Sequence, residues 1–454
     1  MIPDMYARFL PQPLELQARR DRVAHAIGEG AVALVAAAPA PRRSVRFRQT
    51  NEFYYLTAAA EPGAYVVIDG GTGRTTLYLA GRDAHRERSE GPSLAAEDVE
   101  PAKELTGTDE VKPVADLPAE LARRLFRGRV AVHTPFAPGE GARQSRDALL
   151  NGSAARLADP LGSSVTRESA LVEALAKAFP AVECCDLTPV LDELRLVKSE
   201  SELAAMREAA RLTCLATVEA MRSTEQDVHE YELSAVADFV FLQGGAAGAA
   251  YEPIIAGGSN AWHGHYVRKD SKLAAGDLVL FDCAPDFHYY TSDIGRMWPV
   301  TGRFEPWQLE LYEFIVHYHR ALLGRIRPGE TVEAILDDTA AELTEVVETT
   351  SWSRPEFETA ARGALAFRGH LSHPVGMAVH DVGNYSRRPL VEGLVFSVDP
   401  MLWVPEESLY VRCEDTVVVT ADGIENLTAA APLDPSAIEA TMSEPGLLQA
   451  WRDR

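Results

Sequence analysis

Residues 278–296 read LVLFDCAPDFHYYTSDIGR, and the fold prediction rests on this stretch. An apolar strand, LVLF, ends at Asp282, and Asp293 follows eleven residues later, beyond an aromatic segment. If the chain turns near Phe287 and His288, the two aspartates face each other across antiparallel strands, with Cβ atoms about 5 Å apart. Carboxylates that close repel each other, and one stays protonated unless a cation lies between them. The stretch therefore predicts a strand pair that carries a cation site.

Three later segments add histidines and further charged groups in apolar surroundings. The candidates are His370, His373 and His380 in HLSHPVGMAVHDVG, Asp399 in EGLVFSVDPML, and Arg412 and Glu414 in LYVRCEDTVVVT. Glu414 stands inside a β-branched strand, where burial of an unpaired carboxylate would cost several kcal/mol. The same argument applies to Asp282 and Asp399, because each of them ends an apolar strand.

The charges of the four carboxylates predict what balances them. Asp282, Asp293, Asp399 and Glu414 carry four negative charges, which two divalent cations would neutralise. Oxygen-dominated ligation with one imidazole, from His373, suits Mn²⁺, Co²⁺ or Zn²⁺, with manganese our first choice. Two such ions about 3.5–4 Å apart can activate water near neutral pH. The sequence contains no H-E-x-x-H motif, so a single-zinc protease is not supported.

The amino-acid composition limits the kinds of partner that the protein is expected to bind and indicates its cellular compartment. The 454 residues are 46% hydrophobic and 24% charged, with a net charge of −23. This acidic balance argues against binding to nucleic acid or to an anionic membrane, because both favour excess lysine and arginine. The five cysteines form no C-x-x-C motif and are expected to be reduced thiols of a cytoplasmic protein. We find no signal peptide and no apolar run long enough to span a bilayer.

The pattern of apolar residues predicts two domains, an N-terminal α/β domain (1–175) and a C-terminal α+β domain (190–454). The predicted N-terminal strands are AVALVAAA (31–38), FYYLT (53–57), AYVVID (64–69), TTLYLA (75–80) and RVAVH (129–133). GGTGR (70–74) predicts a hairpin turn between two of them. In the second domain, Ser199 and Glu202 fit a capping box before a long amphipathic helix. Further helices are predicted at 231–243, 307–325 and 331–346.

Taken in order, these residues resemble the aminopeptidase P and prolidase family of dinuclear metallopeptidases, which has the pita-bread fold. The family pattern maps onto Asp282, Asp293, His373, Asp399 and Glu414. Further similarities are HDVG (380–383), R-x-E (412–414), GIENLT (423–428) and a histidine upstream of the first aspartate, His265 in NAWHGHY. RFRQTNEFYYLTAAAEPGA (46–64) is similar to the N-terminal domain of aminopeptidase P, which makes that enzyme the closer match.

The resemblance implies a function and a role for each site residue. It implies hydrolysis of the bond between an N-terminal residue and proline, with a peptide that has proline in second position as substrate. Asp399, a ligand beside the attacking water, would accept its proton. His265 and His380 would stabilise the oxyanion and relay a proton to the departing nitrogen, and Arg412 would orient Glu414 or balance its charge. Family members also commonly form homo-oligomers.

Two positions depart from the family pattern. The fourth ligand is usually glutamate, but here it is Asp399, whose reach is about 1.5 Å shorter and could shift the second metal ion or the proton acceptor. The usual H-G-L-[SG]-H is G-H-L-S-H here, because Gly369 and His370 are exchanged. Both departures concern substrate choice and rate more than the fold.

Three alternatives share the fold. A prolidase restricted to dipeptides would have the same metal ligands and differ in how it blocks the far end of the substrate. A creatinase-like hydrolase works without metal, and the retention of all five ligands argues against it. A binding protein with a degenerate site is the third, and it is favoured by the two departures.

Overall fold

The structure, a computed structural model, describes residues 9–41, 45–126, 131–159 and 165–452. The chain divides into two units, Met1–Arg195 and Leu196–Arg454. Both units combine helices with sheets, which confirms the predicted fold class. Of the helices in the described ranges, none has the length and apolar character needed to cross a membrane.

The first unit contains one mixed sheet. Its strands are β1 (Ala31–Ala36), β2 (Tyr65–Asp69), β3 (Thr75–Leu79), β4 (Glu110–Pro113), β5 (Ala131–Thr134) and β6 (Cys184–Asp186), in the order β4-β3-β2-β1-β5-β6. Its helices are α1 (Pro13–Ile27), α2 (Asn51–Thr57), α3 (Ala84–Glu90), α4 (Val99–Thr106), α5 (Leu117–Leu125), α6 (Arg146–Ala158), α7 (Arg167–Ala178) and α8 (Thr188–Leu196). Strands β2 and β3 form the predicted antiparallel hairpin, and Gly73 supplies a positive φ of 71° in its turn.

One predicted strand is wrong. FYYLT (53–57) lies in α2, and every residue of this short helix is buried. A fully buried apolar segment shows neither helical nor strand periodicity, so the aromatic and β-branched composition favoured a strand that does not form. Residues 129 and 130 of the predicted strand RVAVH lie outside the described ranges, and the described remainder belongs to β5.

The second unit combines its helices with two sheets. Its strands are β7 (Ile254–Gly257), β8 (Leu278–Asp282), β9 (Ile294–Pro299), β10 (Val395–Val398), β11 (Met401–Val404), β12 (Leu409–Arg412), β13 (Glu414–Val419) and β14 (Ile424–Asn426). Its helices are α9 (Glu200–Ser223), α10 (Glu230–Gln243), α11 (Pro306–Leu323), α12 (Val332–Thr349), α13 (Pro355–Ala366), α14 (Pro435–Met442) and α15 (Leu447–Arg452). The main sheet has the order β10-β13-β9-β8-β7, with β14 on β13, and β11 pairs with β12.

The long helix α9 begins as the sequence predicts. The Ser199 side chain accepts from the backbone N–H of Glu202, and the Glu202 carboxylate accepts from the backbone N–H of Ser199. Each side chain thereby satisfies an N–H group that the first turn leaves without a partner. The helices predicted near 231–243, 307–325 and 331–346 are present as α10, α11 and α12.

The strand order of the main sheet gathers the candidate residues. Gly295 in β9 pairs with Asp282 in β8 on one side and with Glu414 in β13 on the other. Asp293 lies immediately before β9, and Asp399 directly follows β10, the strand next to β13. Four adjacent strands thus bring together carboxylates that are up to 132 residues apart in sequence.

Candidate metal centre

Asp282 and Asp293 are joined by a tyrosine hydroxyl. The chain turns at His288 and Tyr289, which both have positive φ, as the sequence predicts. The aspartates are not register partners, because Asp282 pairs with Gly295. Instead, the hydroxyl oxygen of Tyr251 lies 2.6 Å from Oδ1 of each aspartate. Its single proton can serve one carboxylate at a time.

His373 points one ring nitrogen at the carboxylates. Its Nδ1 lies 3.2 Å from the carbonyl oxygen of Pro374, to which it can donate. The Nε2 atom then faces Asp293 Oδ2 at 3.3 Å and Glu414 Oε1 at 3.9 Å. Ligand atoms of these three residues lie within 4.8 Å of one another. A backbone acceptor on Nδ1 leaves Nε2 as the ligating nitrogen, which is the usual arrangement of a metal-binding histidine.

Arg412 is the guanidinium of this cluster. Its Nη2 donates to Asp282 Oδ2 at 2.7 Å and also to Glu414 Oε2. It passes over Gly295, where a Cβ atom would lie 2.5 Å from Arg412 Nε. Because glycine has no side chain there, the guanidinium can lie between the carboxylates of the two strands that flank β9.

Asp399 is placed by a loop that pairs with β10. The backbone N–H of Ser397 donates to the carbonyl of His373 at 3.0 Å, and the N–H of Asp399 donates to that of Leu371 at 3.0 Å. The altered G-H-L-S-H segment therefore lies directly beside the fourth candidate ligand. Asp399 Oδ1 is buried without a hydrogen-bond partner among the described residues and faces Arg412 Nε at 3.5 Å.

Burial and mutual repulsion shift the acidity of these groups. Burial raises the pKa of Asp282 and that of Asp399 to about 6, although the Arg412 guanidinium opposes the shift. Burial and repulsion from Asp293 raise the pKa of Glu414 well above its ordinary value. Burial also acts on Asp293, but the hydrogen bond and charge of His373 outweigh it and lower the Asp293 pKa. Such shifts arise where the protein alone supplies too little positive charge.

His265 and His380 line the same region. His265 follows the short 3-10 helix Gly258–Trp262, and its ring centre lies 6.2 Å from that of His380. The His380 ring lies 4.1 Å from the ring of His373. His380 therefore lies next to the candidate ligand His373, and His265 lies on the far side of the His380 contact.

A buried ion pair holds the segment that carries His380. Lys198 Nζ donates to Asp381 Oδ2 at 3.0 Å, and each side chain is 1% exposed. Gly376 lies against this pair, and a Cβ atom there would overlap the Asp381 carboxylate. The pair ties Lys198, which precedes the N-cap residue of α9, to the residue that follows His380.

A second buried carboxylate holds the segment that carries His265. Glu230 accepts from the backbone N–H groups of Gly257 at 2.8 Å and Ser271 at 3.1 Å. It also accepts from Asn260 Nδ2 at 2.9 Å and from the Tyr266 hydroxyl at 2.9 Å. Four donors on one carboxylate fix the loop from both ends.

The sequence analysis missed three of these residues: Tyr251, Lys198 and Glu230. Each is an isolated polar residue whose partners come from distant parts of the chain, and none belongs to a motif. Lys198 and Glu230 both stand beside the predicted start of a helix, but this position does not show which distant residue each of them contacts.

The residues present fit divalent metal ions. Asp293, His373 and Glu414 supply two oxygens and one imidazole nitrogen at a spacing that one ion can bridge. Asp282 and Asp399 do not meet that spacing, but they flank the group, and Asp399 Oδ1 is a buried oxygen that accepts no hydrogen bond from the part of the chain that the structure describes. Oxygen-rich ligation of this kind suits Mn²⁺, Co²⁺ or Zn²⁺.

Comparison with known proteins gives consistent results for both units. The profile of Metallopeptidase family M24 matches residues 204–421, and that of the aminopeptidase P N-terminal domain matches residues 16–133. The Xaa-Pro aminopeptidase of Escherichia coli K12 is 30% identical over 449 residues, which cover 94% of this chain and 97% of that protein.

Solved structures agree. Pseudomonas aeruginosa aminopeptidase PepP matches with a TM-score of 0.76 and 28% identity, covering 96% of this chain and 99% of its own. Zinc-substituted Escherichia coli aminopeptidase P in complex with product also matches with a TM-score of 0.76 and 28% identity. This match covers 96% of this chain and 99% of that one.

Proposed function

The chain belongs to the aminopeptidase P family of M24 metallopeptidases, and on that premise we propose that it removes the N-terminal residue from peptides with proline in second position. The family resemblance stated from the sequence is thereby confirmed. The observation that carries the proposed activity is the group of Asp293, His373 and Glu414, whose ligand atoms lie within 4.8 Å of one another in a buried, acidic site.

The proposed ligands of two divalent metal ions are Asp282, Asp293, His373, Asp399 and Glu414. Ions held there would lower the pKa of water and polarise the peptide carbonyl. We propose manganese as the native metal, with cobalt or zinc as the other candidates, because one imidazole among carboxylates suits all three.

The other side chains act on the substrate and on the ligands. Asp399 Oδ1 accepts no hydrogen bond from the described residues and is our candidate for accepting a proton from the attacking water. His265 and His380 lie beside the cluster, where they can stabilise negative charge on the carbonyl oxygen and pass a proton to the proline nitrogen. Arg412 holds Asp282 and Glu414 in place through two charge-assisted hydrogen bonds.

The proposal also includes the domain boundaries, the oligomeric state and the cellular location. We assign residues 1–175 to an N-terminal domain and residues 190–454 to the catalytic domain. A homo-oligomer is proposed because Phe239 and Leu242, both on α10, are more than half exposed, and light scattering would test it. A cytoplasmic location is proposed because all five cysteines are free thiols.

Metal analysis and a peptide series test the activity. We expect purified protein reconstituted with Mn²⁺ to bind two ions per chain and to release alanine from Ala-Pro, Ala-Pro-Ala and longer peptides. Cleavage of the dipeptide alone would indicate a prolidase. Turnover without bound metal would indicate a creatinase-like enzyme, and metal binding without any turnover would indicate a binding protein.

Asp293→Asn tests the ligand set. Asp293 contacts both Tyr251 and His373, so the loss of its charge should release metal and abolish activity. If the variant retains full activity and metal content, the assignment is wrong. Asp399→Glu restores the usual family residue and reports whether the shorter side chain limits the rate or matches its pocket.

A further inference from the structure

A cavity of about 610 Å³ opens beside Asp399. Its walls come from α11, α12, α13 and β11, and they are mostly apolar. Leu322, Leu336, Phe367 and Trp403 are among the side chains that line it. This volume falls in the range of about 300–1,000 Å³ typical of small-molecule sites, and is far larger than one proline ring needs.

The cavity shares one residue with the candidate metal centre. Asp399, which the proposed function makes a metal ligand and proton acceptor, forms part of its wall together with the following Pro400 and Met401. An occupant that fills the cavity therefore reaches a proposed metal ligand. The occupant expected there is a part of the peptide substrate.

The open side of the cavity indicates which part of the peptide enters. Thr359, Gly363 and His370 line it and are exposed, and the lining side chains Phe367 and Trp403 are 47% and 38% exposed. An aminopeptidase of this type has a single residue before the cleaved bond, whereas the leaving peptide has any length and needs a path to solvent. A cavity that is open at one end suits the leaving peptide.

The altered G-H-L-S-H segment shapes the wall. A Cβ atom on Gly369 would lie 3.1 Å from the Phe367 ring, which packs edge-on against His370 with ring centres 5.3 Å apart. Because residue 369 is glycine, the Phe367 ring can pack against this segment. Glu356 and Glu406 also line the cavity, so an acidic occupant would be repelled.

We propose that this cavity is a specificity subsite that binds a bulky apolar side chain in the leaving peptide, just after proline, an inference that rests on the proposed aminopeptidase function. The sequence motif that departs from the family pattern would then set substrate preference.

Gly363→Trp tests this subsite. Gly363 lines the cavity on α13, and a Cβ atom there meets nothing within 4 Å, so the substitution starts from open space at the cavity wall and adds a large side chain to it. Arg362→Trp, on the same helix but outside the lining, is the matched control. The substrates are Ala-Pro-Phe-Ala, Ala-Pro-Gly-Ala and Ala-Pro-Glu-Ala, with Phe-Pro-Gly-Ala to vary the first residue.

We expect the wild-type enzyme to prefer phenylalanine over glycine in third position by roughly tenfold or more in kcat/KM, and to disfavour glutamate. Gly363→Trp should bring the phenylalanine-to-glycine ratio close to one, and Arg362→Trp should keep it. An unchanged ratio in Gly363→Trp, or a change confined to first-residue preference, would overturn the proposal.

Two further measurements separate the possible failures. If Gly363→Trp does not fold, Thr359→Trp, one helical turn away and exposed on the same lining, replaces it. Calorimetric titration with the product Pro-Phe-Ala should show binding to wild type that weakens at least tenfold in the folded variant. Failure of wild type to cleave any of the four peptides would contradict the proposed function itself, whereas cleavage without third-position preference would contradict only the subsite.

Discussion

Replacement of Tyr251 by phenylalanine should weaken metal binding by about tenfold to a hundredfold. The Tyr251 hydroxyl lies 2.6 Å from both Asp282 and Asp293, and the substitution removes it while it keeps the ring. The two aspartates then lose the donor that fixes the orientation of their carboxylates. Metal affinity is affected because these are proposed ligands.

The magnitude follows from counting one hydrogen bond. A hydroxyl has one proton, so a single bond to a charged acceptor is lost, and such a bond contributes about 1.5–3 kcal/mol. Since about 1.4 kcal/mol corresponds to a factor of ten, the expected loss is about one to two orders of magnitude in the dissociation constant.

The stabilisation of the folded protein by bound metal gives an independent measure of this loss of affinity. At a metal concentration about 1,000 times the dissociation constant, binding stabilises the folded protein by about 4.1 kcal/mol. After a tenfold to hundredfold loss of affinity, the same metal concentration stabilises it by only about 1.4–2.7 kcal/mol. Thermal unfolding with and without Mn²⁺ measures this difference.

Calorimetric titration of Mn²⁺ into metal-free protein measures the affinity directly. Tyr78→Phe is the matched control, because the Tyr78 hydroxyl also donates to a carboxylate at 2.6 Å, that of Glu120 in the first unit. The control should bind metal as wild type does. A dissociation constant for Tyr251→Phe within about twofold of wild type would show that the hydroxyl does not support the metal ligands.

Three further substitutions test how the site is held. Lys198→Met removes the ammonium group that pairs with the buried Asp381 carboxylate, so urea denaturation should show a loss of about 3–5 kcal/mol in the free energy of unfolding, most of which Asp381→Asn restores in the double variant. Gly295→Ala places a Cβ atom 2.5 Å from Arg412 Nε, and kcat/KM should fall at least tenfold while the far-ultraviolet circular dichroism stays unchanged. Glu230→Gln replaces one accepting oxygen by an NH₂ group, and hydrogen exchange should accelerate across residues 257–271, whereas unchanged exchange would mean that the loop is held by other contacts.

Local signals made much of the second unit predictable. The capping box of Ser199 and Glu202 uses residues three apart, so sequence spacing alone identifies the start of α9. Asp282 ends an apolar strand, and its charge stands out against the residues before it. In both cases, the physical cause and its signal lie within a few residues of each other.

Other features depend on contacts that no local pattern contains. The segment Phe53–Thr57 forms a helix because the surrounding unit buries all of it, and burial on every side removes the periodicity that distinguishes a helix from a strand. Tyr251 acquires its role from a strand and a turn 31 and 42 residues away. Lys198 meets Asp381 across 183 residues. The sequence shows each of these residues apart from the distant residue that it contacts in the fold, so its role cannot be predicted.

In the first unit, the buried carboxylates are paired with arginines. Glu52 and Glu140 lie against Arg146 and Arg195, with Arg146 Nη2 at 2.6 Å from Glu52 and Arg195 Nη1 at 2.7 Å from Glu140. Burial and repulsion from Glu140 raise the pKa of Glu52 to about 8, and the two guanidinium groups oppose this shift. The quarter-exposed Asp192 lies 3.5 Å from Arg146 Nη1, so three carboxylates share two guanidinium groups. At most one negative charge among these five groups exceeds the positive charge of the arginines.

The metal centre has a different balance. Of the lysines and arginines in the described ranges, Arg412 alone pairs with Asp282, Asp293, Asp399 or Glu414, which leaves three negative charges uncompensated when all four acids are ionised. Either Asp282, Asp399 and Glu414 take up protons, as their raised pKa values indicate, or cations enter. Two divalent ions together with Arg412 would exceed the four carboxylates by one positive charge. That surplus would favour the negative charge that develops on a carbonyl oxygen during hydrolysis, and Arg412 would then supply charge to the site as well as hold its proposed ligands.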